Sequence, residues 1–152
     1  TYLIICLLQF YAILLIAKLV FPFMQLPELN LSGNKVLLMS LLTLTAGLAA
    51  ISLGILLGII CKTQEQSAPF GATFVVILAA IGGVWIPVFA MSDAMQVLSK
   101  TSPMNWALNG YYDIMLRNGS LIDIIPEMLL LTLFFAVLIT FALLYDKKKR
   151  TV

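Results

Sequence analysis

Residues 71–113 read GATFVVILAAIGGVWIPVFAMSDAMQVLSKTSPMNWALNGYYD, and this stretch decides the fold. It begins as an apolar run of membrane length that is interrupted near its far end by Gly82, Gly83 and Pro87. Glycines weaken a helix, and a proline removes the amide that would bond one turn back. We therefore expect a membrane helix that bends between Gly82 and Pro87 and then continues into a short amphipathic segment.

The composition is that of an integral membrane protein. Hydrophobic residues make up 62% of the 152 residues and charged residues 11%, against about 45–50% and about 25% in a soluble domain. A helix needs roughly 20 apolar residues to cross the hydrocarbon core. The sequence therefore predicts an all-α fold, a polytopic transmembrane helical bundle with four spans at about residues 2–24, 36–61, 70–91 and 125–145.

The connections between these runs suggest how the spans are arranged. Residues 92–120 mix aromatic and polar side chains, which favours short re-entrant or interfacial helices on the outer side. Residues 62–69, KTQEQSAP, predict a short polar turn between two antiparallel spans. The basic run from Lys147 to Arg150 places the C-terminus in the cytoplasm, on the same side as that turn.

Small residues recur at intervals of four along the second apolar run. Such residues lie on one helical face, where the backbones of neighbouring membrane helices can approach closely. The pattern predicts a helix-packing face made of Ala46, Ala50, Gly54 and Gly58.

Several classes of chemistry are excluded by what the sequence lacks. It has no histidine, and Cys6 and Cys61 are far apart, which argues against a disulfide framework or a metal site. No phosphate-binding glycine loop is present. All seven carboxylates fall in predicted loops or at interfaces, whereas an ion-coupled carrier needs one at membrane depth. We expect no catalytic site, no cofactor and, at a net charge of +2, no nucleic-acid partner.

The order of these features resembles the C-terminal portion of an ABC type-2 transporter permease. The matching segments are AGLAAISLGILLGIICKT at residues 46–63, then GGVWIP, Ser102-Pro103, NWALNG and a last span with a basic tail. The resemblance implies that residues 1–152 supply the last four of six spans in one membrane half. It also implies outward transport by alternating access in the inner (plasma) membrane of a bacterium.

The resemblance implies partners as well. A second permease copy or homologue would complete the cavity among membrane lipids, and a cytoplasmic ABC ATP-binding subunit would bind and hydrolyse ATP with Mg. The rival interpretation is a non-transporting membrane scaffold or regulatory subunit that associates through its small-residue helix face.

Site residues follow from the same resemblance. The GGVWIP segment is similar to the point where the fifth span of the family narrows. It implies a gate at Gly83, Val84 and Trp85, a hinge at Gly82, Gly83 and Pro87, and a central cavity lined by Val76 and Ala80. Ordinary helix packing is the alternative role for each of these residues.

Overall fold

The structure is a computed structural model that describes residues 1–23, 32–61 and 63–150. The described residues form helices and connecting turns, with no strand among them. The predicted all-α helical bundle is confirmed. Its helices are α1 (Tyr2–Phe23), α2 (Gly33–Ile60), α3 (Gln64–Ile81), α4 (Asp93–Ser99), α5 (Pro103–Met115) and α6 (Leu121–Arg150), with a 3-10 turn at Val88–Ala90.

Three helices in the described part of the chain are long and apolar enough to cross a membrane, namely α1, α2 and residues 121–149 of α6. They coincide with three of the predicted spans to within a few residues. The bounds of the remaining predicted span, residues 70–91, do not match those of α3, the helix observed there. Helix α3 begins at Gln64 and ends at Ile81, and its apolar part is shorter than in the other three.

The polar turn predicted at residues 62–69 is wrong from Gln64 onward, because those residues form the first turns of α3. Thr63 is the N-cap, and its Oγ1 accepts a hydrogen bond from the Gln66 amide at 3.3 Å. Thr-x-x-Gln is a capping-box pattern, which starts a helix although its residues are polar. Lys62 lies outside the described residues.

Helix α2 is the centre of the bundle and contacts α1, α3, α5 and α6. Helix α6 packs along both α2 and α5. These three helices supply most of the buried core, and none of the described side chains of α1 is buried. The core is Leu38, Met39, Leu42, Ala49, Ile114, Ile124 and Leu131.

Contacts between distant residues define the two ends of the bundle. At one end, which we call the tail end, Lys149 Nζ donates to the Ile59 carbonyl at 3.5 Å. At the other, which we call the loop end, Lys35 Nζ donates to Asn118 Oδ1 at 2.5 Å. Helix α3 starts at the tail end beside the last turn of α2. The C-terminal tail and the start of α3 therefore lie at the same end of the bundle.

Helices α3 and α5 pack against different halves of α2. A Cβ on Gly71 of α3 would lie 3.5 Å from Leu57, in the tail-end half of α2. Tyr111 of α5 contacts Thr43, in the loop-end half. Helix α5 thus meets the end of α3 beside the middle of α2 and runs from there to the loop end. The short helices predicted within residues 92–120 are present as α4 and α5, and their re-entrant or interfacial placement on the outer side stays a prediction.

Candidate functional site: the broken end of α3

Helix α3 stops at the two glycines in a Schellman motif. Gly82 is the C-cap, Gly83 has φ +90°, and the Val84 amide donates to the Ala79 carbonyl at 3.1 Å. A positive φ is favourable only for glycine, which is why such a residue follows so many helices. The chain breaks at the glycines that the sequence indicated, but the helix ends there instead of bending and continuing.

Two side chains of the α5 segment bind the last carbonyls of α3. Ser102 Oγ donates to the Leu78 carbonyl at 3.0 Å, and Asn105 Nδ2 donates to the Gly82 carbonyl at 3.2 Å. Both side chains are buried. The Leu78 carbonyl also accepts a hydrogen bond from the Gly82 amide at 2.8 Å, so Ser102 is its second donor. The Gly82 carbonyl lies at the helix end, where carbonyls lack partners within the helix, and Asn105 supplies its donor. We call this contact of Leu78, Gly82, Ser102 and Asn105 the α3–α5 junction.

The geometry of the junction is set by a third polar side chain, Asn109, and by the missing side chain of Gly82. Asn109 Nδ2 donates to Asn105 Oδ1 at 3.0 Å, which turns the Asn105 amino group toward Gly82. A Cβ on Gly82 would lie 2.7 Å from both Met104 Cβ and the Leu78 carbonyl. No side chain larger than hydrogen fits there, so α3 and α5 meet at backbone distance.

Helix α5 is itself anchored to the rest of the bundle. The Trp106 indole donates to the Lys100 carbonyl at 2.7 Å, and its ring packs edge-on against Phe134 of α6 with centroids 6.3 Å apart. The Tyr111 and Thr43 hydroxyls are 2.7 Å apart. Because the Thr43 hydroxyl donates to the Met39 carbonyl at 2.7 Å, the Tyr111 hydroxyl is the donor to Thr43. The junction therefore joins α3 to a fixed platform of α2, α5 and α6.

The residues of the predicted gate lie just beyond the junction and are largely exposed on this chain. Val84 is 51% exposed and Trp85 is 66% exposed. Gly83 and Pro87 line a cavity of about 480 Å³ at the loop end, together with Asn109 and other residues of α5. The exposed side chains are available to another chain or to lipid. The gate and hinge roles stay predictions.

The residues predicted to line a central cavity are on α3 but away from its packed face. Val76 is 45% exposed and Ala80 is half-buried. A cavity of about 120 Å³ lies between α2, α3, α5 and α6, and α3 contributes Val75 and Leu78 to its wall. A cavity role for Val76 and Ala80 therefore requires a second chain, and it stays a prediction.

The predicted small-residue face divides into two parts. Ala46 and Ala50 line the 120 Å³ cavity. Gly54 and Gly58 are exposed, and a Cβ on either would meet no atom within 4 Å. The close helix approach inside this chain is made by Gly47 instead, where a Cβ would lie 3.2 Å from Cys6 Sγ of α1. Packing by Gly54 and Gly58 stays a prediction about another chain.

Two features of the site were missed by sequence reasoning. The roles of Ser102 and Asn105 were not predicted. Ser102 has the N-cap position of α5 but makes no side-chain cap hydrogen bond there, and both side chains donate instead to carbonyls of α3, more than 20 residues away in sequence. The other is Glu127, which lies inside α6 with Oε2 buried and, among the described residues, without a hydrogen-bond partner.

Comparison with known proteins agrees with the helical architecture. Residues 1–116 match the family described as ABC-2 type transporter. Over 107 residues the chain is 29% identical to the linearmycin resistance permease protein LnrN of Bacillus subtilis (strain 168), a match that covers 70% of this chain and 26% of that relative. The chain thus spans about a quarter of the length of this relative. No solved structure matches the chain. On the strength of the family match, which covers most of its length, this chain belongs to the ABC-2 type transporter family.

Proposed function

We propose that this chain is the C-terminal part of the permease subunit of an ATP-driven exporter. A second permease copy or homologue completes the translocation path, and a cytoplasmic ATP-binding subunit supplies ATP hydrolysis with Mg. The protein lies in the inner membrane of a bacterium with its C-terminus in the cytoplasm. Membership of the ABC-2 transporter family supports the permease assignment. The name of the Bacillus subtilis relative, a resistance permease, favours a resistance role here as well.

The observation that carries this proposal is the α3–α5 junction. It holds α3 to the platform by two side-chain hydrogen bonds to backbone carbonyls. Each such bond contributes about 0.5–1.5 kcal/mol, so the pair contributes about 1–3 kcal/mol. A free-energy difference of a few kcal/mol separates two conformations that a bound ligand can interconvert. The junction can therefore open and re-form while α3 and α5 stay folded.

The proposed mechanism uses the opening and re-forming of the α3–α5 junction. When the ATP-binding subunits close at the tail end, α3 tilts and its end at Gly82 moves away from α5, which opens the junction beside the middle of α2. The exposed Val84 and Trp85 then separate from the same residues of the second permease copy, and substrate leaves outward. Helix α5 stays in place because Trp106 and Tyr111 anchor it to neighbouring elements.

The test is ATP-dependent efflux by the full-length permease, reconstituted with its ATP-binding subunit in liposomes and assayed with linearmycin and a panel of amphipathic dyes. We expect Asn105→Ala to change the efflux rate at least threefold, because the Gly82 carbonyl loses its donor. Asn34→Ala, at an exposed position on α2, is the matched control and should leave efflux unchanged. Efflux that is absent from the wild type, or indifferent to Asn105→Ala, would contradict the proposal.

A membrane scaffold is the second candidate, and the exposed small residues on α2 favour it. Ala50, Gly54 and Gly58 form a stripe that another helix could approach closely. A variant of the ATP-binding subunit that binds ATP but cannot hydrolyse it distinguishes an exporter from a scaffold. An exporter loses efflux with that partner, whereas a scaffold keeps its biological effect as long as the complex assembles.

A further inference from the structure

Helices α3 and α6 both pack on α2 and α5, and a groove separates them on the tail-end half of α2. Its floor runs along α2 from Leu53 to Cys61. Phe70 and Phe74 of α3 form one wall, and Phe134 and Leu138 of α6 form the other. The cavity measures about 600 Å³, and no charged side chain is among its described lining residues.

The length of the groove matches one leaflet of a bilayer. At about 1.5 Å rise per residue, the floor from Leu53 to Cys61 is about 12 Å long. Half of a hydrocarbon core of about 30 Å is about 15 Å. The groove therefore has the depth that one acyl chain occupies when its headgroup lies at the tail end.

A cation lies at the mouth of the groove. Lys149 Nζ contacts the carbonyl of Ile59, the residue before Ile60 in the groove floor. Lysines beside a membrane surface attract anionic lipid headgroups. An apolar groove with an ammonium group at its open end is complementary to a phospholipid that carries net negative charge.

The charge at the mouth of the groove favours a lipid over a further apolar helix. An apolar helix would bring no anion to the Lys149 ammonium, whereas a phospholipid brings its phosphate. A single acyl chain fits between α3 and α6 without separating either helix from α2.

We propose that this groove binds one acyl chain of an anionic phospholipid from the tail-end leaflet, with the phosphate beside Lys149. The lipid fills the space between α3 and α6 and supports the half of α3 that the α3–α5 junction does not reach. This site is independent of the exporter proposal, since it needs neither ATP nor transport.

The test is photo-crosslinking in the full-length permease, purified into phosphatidylcholine nanodiscs. The probes are phosphatidylglycerol or phosphatidylcholine with a diazirine in the middle of one acyl chain, and mass spectrometry locates the adducts. We expect adducts on the groove walls, near Phe74 and Phe134. Phosphatidylglycerol should label about fivefold more than phosphatidylcholine. This ratio corresponds to the attraction of about 1 kcal/mol that one lysine near a membrane surface exerts on an anionic headgroup.

Matched variants test the two parts of the site. Leu57→Trp fills the groove and should reduce labelling at least fivefold, whereas Leu133→Trp, on an exposed position of α6 outside the groove, should leave it unchanged. Lys149→Gln should abolish the preference for phosphatidylglycerol, and Lys148→Gln should keep it.

Three results would overturn the proposal, and the wild type alone can produce two of them. They are equal labelling by both wild-type probes, wild-type adducts that lie outside the groove walls, and equal labelling of Leu57→Trp and Leu133→Trp.

Discussion

Gly82 and Gly83 are adjacent, yet each is required for a different physical reason. Gly83 has φ +90°, a backbone conformation that residues with a Cβ adopt only at a cost. Gly82 has an ordinary helical conformation, and it is glycine because Met104 Cβ and the Leu78 carbonyl occupy the place of a side chain. The pair is therefore needed to end α3 and to seat it on α5, whether or not the segment also bends during transport.

Gly83→Ala is predicted to destabilise the protein. The positive φ costs a residue with a Cβ about 1–2 kcal/mol, and the new Cβ would lie 2.6 Å from Val88 Cγ2. Thermal unfolding in detergent should show a lower Tm. Gly54→Ala is the control, because that site is helical and open, and alanine there should stabilise by about 0.5–1 kcal/mol. An unchanged Tm for Gly83→Ala would show that the Schellman motif is not maintained.

At the scale of the element, α6 places one carboxyl oxygen of Glu127 among its packed residues. Its buried residues Ile124, Leu131 and Ala142 recur with helical spacing and face α2 and α5. Glu127 lies between the first two, with Oε2 buried and unpartnered among the described residues. Burying a polar group without a partner is unfavourable. Glu127 therefore lowers the stability of α6 packing in this chain.

Glu127→Met is predicted to raise the free energy of unfolding by about 1–3 kcal/mol, the usual cost of an unsatisfied buried group. Methionine keeps the length of the side chain and removes its oxygens. Glu65→Met, at an exposed position in the first turn of α3, should change stability by less than about 0.5 kcal/mol. A loss of stability in Glu127→Met would mean that the assembled transporter provides a partner for the carboxylate.

At the scale of the whole molecule, the long helices α1 and α6 and the shorter α3 and α5 pack against α2, and the two ends of the bundle differ in character. The tail end holds the start of α3 and the basic C-terminus. At the loop end, α5 ends and the turn around Asn118 contacts Lys35. The α3–α5 junction of the proposed exporter lies between the two ends, beside the middle of α2, and the lipid groove opens at the tail end.

Cysteine labelling should place the two ends on opposite sides of the membrane. With Cys6 and Cys61 replaced by serine, Glu65→Cys and Lys149→Cys should react with an impermeant maleimide from the same side. Lys100→Cys and Asn118→Cys should react from the other. Accessibility of Glu65→Cys and Lys149→Cys from opposite sides would contradict the arrangement of α2, α3 and α6.

Much of the fold could be predicted because it depends on local properties. The apolar runs that became α1, α2 and α6 are long enough to identify singly, and the break after Ile81 is marked by adjacent glycines. The error at residues 64–69 was also local. Polar residues were interpreted as a turn, although Thr63 and Gln66 have the spacing of a helix cap.

The amino-acid sequence by itself determined that this protein is a helical membrane bundle with a broken third apolar segment, because hydrophobicity and glycine conformation act over a few residues. Only the tertiary structure decided what the break contacts. The hydrogen bond from Ser102 to Leu78 joins residues 24 positions apart, and the one from Asn105 to Gly82 joins residues 23 apart. The burial of Glu127 Oε2 and the groove between α3 and α6 likewise depend on how whole helices pack on α2, which no local pattern specifies.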